Sequence, residues 1–296
     1  MNHSMRPPDI ARLLILAAIW GASFLFMRII AHPLGPITTA CSRVLIAGTL
    51  LCAWFTIAGI RVGWRAHART YAVIGIVNSA IPFTLYAFAA QHIPASYSAI
   101  INALAPAFGM ALGAVFLRTH PSRANILGGL LGLVGVGFIA WRGPLELNPM
   151  RLLAILAGIA AAACYAIAGT YMKRRAPQLR PLAVAGASQL IAGLALAPLV
   201  PLAPPPGPIT PLVAALALAL ALLCSGVAYI LYYRVLADCG PTRALTVTYL
   251  IPVFGLTWGV IFLNERITSP MMLGAALVIA GTFLVLRAPR APSPQK

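Results

Sequence analysis

Acidic residues are almost missing from this chain. Asp9, Glu146, Asp238 and Glu265 are the only 4 in 296 residues. With the apolar runs placed as below, each falls in a tail, a loop or a helix end. That leaves no candidate for a proton relay built on a buried carboxylate, and no fixed anionic site for a cationic drug. Cysteine is sparse as well. Cys41, Cys52, Cys164, Cys224 and Cys239 form no Cys-x-x-Cys pair and no metal-ligand spacing with histidine, so they read as small packing residues. No His-Glu-x-x-His and no clustered histidine occur. An integral membrane enzyme would need a nucleophile–base pair or a metal cluster, and neither is visible. No cofactor and no metal are expected. Charged residues of both signs amount to 8% and hydrophobic ones to 61%, where a soluble domain carries about 25% charged residues. The chain is therefore read as an integral membrane protein.

The 21 basic residues raise the net charge to +17. They flank apolar runs, where they act as topology signals rather than as a nucleic-acid surface. The expected partners are the lipid bilayer and a small-molecule substrate, with no nucleic acid. The oligomeric state is left open, a monomer included.

A membrane-crossing helix needs about 20 apolar residues. Ten stretches qualify: 11–30, 36–57, 70–90, 97–117, 123–141, 152–172, 182–202, 211–236, 243–263 and 270–288. The first is read as an uncleaved helix, because Leu13–Phe26 carries no convincing cleavage site. The Pro-rich stretch 198–211 is a stiff loop, and 289–296 is a disordered tail. With the N-terminus inside, 16 of the basic residues face the cytoplasm, and Arg28, Arg142, Arg151 and Arg266 face outward. This bias predicts both termini in the cytoplasm, and one helix more or fewer would scramble it.

What the chain has in abundance is internal repetition. Residues 104–117 (LAPAFGMALGAVFL) and 250–263 (LIPVFGLTWGVIFL) share the pattern L-x-P-x-F-G-x-x-x-G-x-x-F-L at an offset of 146. The same offset matches Ser79 to Ser225, Phe83 to Tyr229 and Tyr86 to Tyr232. At 145, Trp20 lies over Tyr165, Arg28 over Lys173, and IAG 46–48 over IAG 191–193. Each repeat holds five helices. Five is odd, so the second copy enters the membrane upside down, which predicts an inverted repeat with its axis in the membrane plane. The expected units are 1–146 and 147–288.

These features resemble the drug/metabolite transporter superfamily, specifically its EamA-type exporters. The resemblance rests on WGASF at 20–24, SRVLIAG at 42–48, the Pro/Gly stretch in both halves, and NERI at 264–267. It implies a multi-pass protein of the cell inner membrane that exports small molecules; the family's substrates include amino acids, drugs and small metabolites. The fourth and ninth helices of such proteins commonly end in a Glu-containing turn. The second copy has Glu265, whereas the first has Arg118-Thr119-His120.

In a membrane, polar and aromatic residues at depth mark the site. Ser79, Phe83 and Tyr86 fall at i, i+4 and i+7, one helix face, and Ser225, Tyr229 and Tyr232 copy them. Asn78 adjoins the first stripe, Ser98 and Asn102 share a face, Thr248 is the partner of Asn102, and Trp20 and Ser23 share a face opposite Tyr165. The functional reading is an aromatic-rich cavity with hydroxyl and amide groups. The bland alternative is helix glue and gap filling. Arg43, with Gln189 as its repeat partner, is read as snorkelling or bonding helix-end carbonyls near the outer interface, with capture of a substrate carboxylate or phosphate as the alternative. His92 and His120 read as interfacial, and Trp258 as lipid-facing or interfacial. Pro106 and Pro252 kink matching helices, and Gly109, Gly113, Gly255 and Gly259 allow close helix approach, a set that could gate alternating access. The expectation is an exporter of small neutral or zwitterionic metabolites, chiefly amino acids, with a proton-coupled multidrug exporter as the alternative.

Overall fold

The structure is a computed structural model that describes residues 7–142, 148–176 and 178–287. Glu146, the expected junction of the two halves and the expected tail lie outside the described residues. Among the described residues there are helices and no strands. They run α1 Pro7–Ile57, α2 Trp64–His92, α3 Ala95–Phe116, α4 Arg123–Arg142, α5 Pro149–Arg175, α6 Pro181–Leu199, α7 Pro211–Cys239, α8 Val247–Leu263 and α9 Ser269–Arg287. All but α8 are long and apolar enough to cross a membrane, and α8 is a shorter apolar helix of 17 residues.

The 51 residues of α1 do not form one rod. Gly35 leaves helical geometry at φ 73° and ψ 165°, between Pro33 and Pro36. Glycine adopts that φ without a Cβ penalty, and Pro36 both lacks an N–H and biases Gly35 away from helix. Two arms result, 7–34 and 36–57. The first runs four residues past its expected end at residue 30.

Local geometry repeats along the chain. A π-turn interrupts α2 at Ile76–Ala80, and another interrupts α7 at Leu222–Val227, 146 residues on. Each places one extra residue per turn and re-aims the stripe that follows it. The left-handed residues that end α3 and α8, Arg118 at φ 52° and Asn264 at φ 54°, are also 146 apart. In both turns the next N–H returns to a glycine carbonyl: Thr119 to Gly113 at 3.2 Å and Glu265 to Gly259 at 3.1 Å.

Glycine seams join corresponding helices. A Cβ on Gly128 would meet the Gly281 carbonyl, and one on Gly281 would meet that of Gly128. Gly135 and Gly274 face each other the same way, so α4 and α9 touch backbone to backbone. Gly48 abuts Leu190 and Gly193 abuts Leu45, pairing the second arm of α1 with α6. Small residues of this kind let helices associate by contact where lipid offers no hydrophobic drive. Outward, the same helices present bare apolar side chains, among them Leu127, Leu130 and Val134 of α4 and Leu152, Leu153 and Leu156 of α5. Such a continuous apolar exterior suits acyl chains, not water. The buried core runs through α1, α2, α7 and α8, and it holds the aromatic residues of interest at its centre.

Candidate functional site

The first arm of α1 and the helices α2, α5 and α7 bring one group of aromatic side chains together. Tyr86 stacks near Tyr165, with ring centroids 6.3 Å apart, and meets Phe24 edge-on at 5.4 Å. Phe83 meets Tyr165 at 6.5 Å. On the other side, Trp20 contacts Tyr229 at 6.2 Å and Tyr232 at 5.5 Å. Asn78 lies in the α2 π-turn, one residue before Ser79. The Tyr86 hydroxyl donates to Asn102 Oδ1 at 3.2 Å, tying α3 to the group. The two stripes differ in access. Phe83 and Tyr86 are buried, whereas Tyr165, Tyr229 and Tyr232 keep partly open surface.

That difference follows from helix packing. The first arm of α1 is tied to α2 along the end that holds Arg28. Arg28 donates to the Ala90 carbonyl, and Gln91 Nε2 donates to the Ala31 carbonyl at 2.8 Å. Their counterparts at the repeat offset, α5 and α7, do not pack along one another. The α7 stripe keeps part of its surface uncovered. Beyond it, Arg12 bridges Asp9 at 3.0 Å and Asp238 at 2.8 Å, holding the start of α1 to the end of α7.

Other expected site residues serve their own helices. Ser23 donates to the Trp20 carbonyl at 2.6 Å and Thr248 to the Leu245 carbonyl at 2.7 Å. Ser98 and Ser79 are buried, and neither hydroxyl has a partner. Gly255 receives Ala99 of α3 and Gly259 receives the Glu265 side chain, while nothing approaches Gly109 within 4 Å and Gly113 meets only Thr119. Pro252 sits inside the continuous α8, but Pro106 opens the second segment of α3, after a break at 103–104. The bends in the two copies therefore differ in kind.

Arg43 is the residue whose place the sequence reading missed. It is 5% exposed, so it does not snorkel. Its Nε donates to Ser225 Oγ at 2.8 Å, its Nη1 lies 3.8 Å from Met27 Sδ, and its Cζ sits 3.8 Å above the Phe83 ring. The Phe83 ring beneath it also meets Tyr165. Gln189, its repeat partner, donates from Nε2 to the Ser225 carbonyl at 3.1 Å. An arginine at mid-helix depth costs about 2.5–3.5 kcal/mol on insertion scales. The Phe83 face and the Ser225 hydroxyl offset part of that. The signal was present: a cation inside an apolar run, with a polar residue at the matching repeat position.

Glu265 has a second unforeseen role. Its carboxylate accepts from Ala95 N at 2.7 Å, from Ser96 N at 3.2 Å and from the Ser96 hydroxyl. It thus caps the start of α3 from the end of α8, where a negative charge suits the helix dipole. Trp258 is half-buried: its indole N–H donates to the Ala18 carbonyl at 3.0 Å, and its ring stacks near Phe254 at 6.0 Å.

A cavity of about 460 Å³ lies elsewhere, beside the Gly35 kink, between Pro36, Thr84, Phe88, Gln91 and Pro204. None of the expected site residues lines it. It is a mouth near the α1–α2 ties and is separate from the aromatic group.

Comparison with known proteins accords with this architecture. The model of the EamA-like transporter family matches twice, over residues 10–141 and 152–287. A protein from Archaeoglobus fulgidus named an uncharacterized transporter is 26% identical, over 93% of this chain and 97% of its own length. A probable terminal-alkyne amino-acid exporter from Streptantibioticus cattleyicolor is 26% identical, over 93% of this chain and 92% of its own. Protein PecM of Dickeya dadantii is 23% identical, over 90% and 88%. A crystal structure with a TM-score of 0.67 covers 95% of this chain and 96% of its own; at 18% identity it speaks for the fold alone.

Proposed function

The chain belongs to the EamA-like transporter family, and from that premise we propose that it exports small neutral or zwitterionic metabolites by alternating access, amino acids first among them. The observation that carries this reading is the aromatic group of Trp20, Tyr86, Tyr165, Tyr229 and Tyr232, with Asn102 bonded into it. Aromatic faces accommodate hydrophobic side chains, and the amides and hydroxyls supply the few polar partners that a small zwitterion needs. The likeness to an amino-acid exporter adds support.

The proposed membrane arrangement has ten crossings. Dividing α1 at Gly35 gives two crossings from its 51 residues, and α8 with the one-turn helix Pro241–Ala244 before it makes another. The π-turns, helix-end turns and glycine seams related by 145 or 146 residues support two inverted five-helix units, 1–146 and 147–288. The basic bias favours both termini on the cytoplasmic side of the cell inner membrane. In that orientation the tied α1–α2 end, with the cavity beside the Gly35 kink, is the outer one, and the ends of α5 and α7, which lack a matching tie, are the inner ones. An exporter takes up cargo from the inner side, where that missing tie leaves the helices free to part.

The direct test is counterflow of labelled phenylalanine, threonine and methionine in proteoliposomes, with and without a pH gradient. Exchange that ignores the gradient supports a facilitative amino-acid exporter. Exchange that follows it favours proton coupling. Absence of amino-acid exchange would move the cargo to drugs or other metabolites.

A further inference from the structure

Arg43 is a buried positive charge, and among the described residues no carboxylate faces it. The described acids are engaged elsewhere: Asp9 and Asp238 by Arg12, and Glu265 by Ala95 and Ser96. A guanidinium does not shed its proton at neutral pH, so burial cannot neutralise it. Its contacts are one neutral hydroxyl, one thioether and one aromatic face, which leaves N–H donors of the planar fork to spare. Of the buried polar atoms without a partner, two belong to residues linked to this surrounding. Ser79 Oγ lies one turn before Phe83, the ring beneath Arg43. Gln189 Oε1 belongs to the side chain that holds the other end of Ser225. A cation with spare N–H donors, a free hydroxyl and a free amide oxygen are thus held around Phe83 and Ser225, with Tyr165 against Phe83. Buried polar groups are normally satisfied, and two unsatisfied ones beside a buried charge with no carboxylate call for a ligand of complementary charge.

We infer that Arg43 is the anchor for a substrate carboxylate, with the Ser79 hydroxyl as a second donor and Gln189 Oε1 as acceptor for an ammonium group. The inference rests on the transporter reading above and narrows its cargo to carboxylate-bearing metabolites, α-amino acids above all. A carboxylate can take the remaining N–H donors of the fork while Nε stays on Ser225. The hydrophobic part of the substrate then lies against Tyr165, Tyr229 and Trp20.

The test uses the full chain and matched compounds that differ only in the carboxylate. Labelled phenylalanine counterflow is challenged with phenylalanine, phenylalaninamide, 3-phenylpropanoate and 3-phenylpropanol. In parallel, the melting temperature of the purified protein is read with each compound and with potassium chloride at equal ionic strength. The two acids are expected to compete at least about tenfold better than the amide and the alcohol, because a site built for a polar group rejects the analogue that lacks it. They raise the melting temperature and chloride does not. Arg43→Gln abolishes the preference and Arg43→Lys keeps part of it. The wild-type series decides the matter even if both variants fail to fold.

Equal competition by acid and amide overturns the anchor while leaving transport standing. A preference that survives in Arg43→Gln, or absence of a melting shift with either acid, overturns it as well. Protection by chloride as strong as by carboxylate makes the occupant an inorganic anion and also overturns it. A carboxylate-specific melting shift without exchange of any compound would leave the anchor in place and refute the transport reading instead.

Discussion

In α8 both glycines of the shared Pro-x-Phe-Gly-x-x-x-Gly stretch are covered, Gly255 by Ala99 of α3 and Gly259 by the Glu265 side chain. In α3 the same stretch stands nearly bare: Gly109 has open space around it, and Gly113 meets only Thr119. The aromatic stripes show the same polarity, with Phe83 and Tyr86 buried and Tyr229 and Tyr232 partly open. Sequence symmetry therefore coexists with conformational asymmetry. One half has its contacts made and the other has them available, which is the condition alternating access requires. At the repeat offset, the counterpart of the Gly255–Ala99 contact is Gly109 against Leu245, and the opposite state should form it.

The largest effect should come from the covered glycine. Gly255→Ala drives a Cβ into Ala99 and is expected to cost about 1–3 kcal/mol through overpacking. Gly109→Ala meets nothing and should gain about 0.5–1 kcal/mol from the lost flexibility of glycine in a helix. Melting of the two variants in detergent checks this, and equal shifts would remove the asymmetry. If Gly109 is used in the opposite state, Gly109→Ala should still slow exchange.

The helix-end turns come next. Glu265→Ala removes a cap on α3 and should cost about 0.5–2 kcal/mol. Thr119→Ala, at the matching turn, should stay within about 0.5 kcal/mol. A Thr119 variant as damaging as the Glu265 variant would mean that the first copy caps its partner helix equally well.

The access difference can be read by labelling. A cysteine at Tyr232 should react with a membrane-impermeant thiol reagent applied from the inner side, and one at Tyr86 should react several-fold more slowly, since Tyr86 is 1% exposed. Equal rates, measured against a background lacking the five native cysteines, would contradict an inward opening. The smallest effect on stability is expected from the prolines. Pro106 sits in the first turn of its segment, where no helical N–H is lost, whereas Pro252 interrupts a continuous ladder. Both Pro→Ala variants should fold, with Pro252→Ala slowing exchange more than Pro106→Ala. Wild-type flux in both would end the gating idea.

Much of the fold was legible because the bilayer simplifies the code. Apolar runs, the basic bias and the 146-residue offset mark helices by chemistry that needs no tertiary contact. The breaks were less legible. The sequence ended the first span at residue 30, but the helix runs on to residue 34, before Gly35 leaves helical geometry. The aromatic group was legible as a pair of stripes at helical spacing. Arg43 was misplaced because an arginine two turns inside an apolar run reads equally as a snorkelling residue. Only the approach of Ser225, 182 residues away, separates the two. Glu265 was noted as a family feature, yet its bonds to Ala95 and Ser96 join helix ends 170 residues apart. Ser23 and Thr248 shared faces with true members of the group but bond their own helices, since a hydroxyl at i reaches the i−3 carbonyl before it reaches a neighbour.

By itself the sequence determined the membrane class, the internal repetition and the family, because each depends on local composition or on the chain's likeness to itself. The tertiary structure decided which copy's glycines are filled, which stripe is open and what surrounds Arg43. Those depend on helix rotations and separations of a few ångströms between segments more than a hundred residues apart. Two copies of one sequence can adopt different values of them at nearly the same energy.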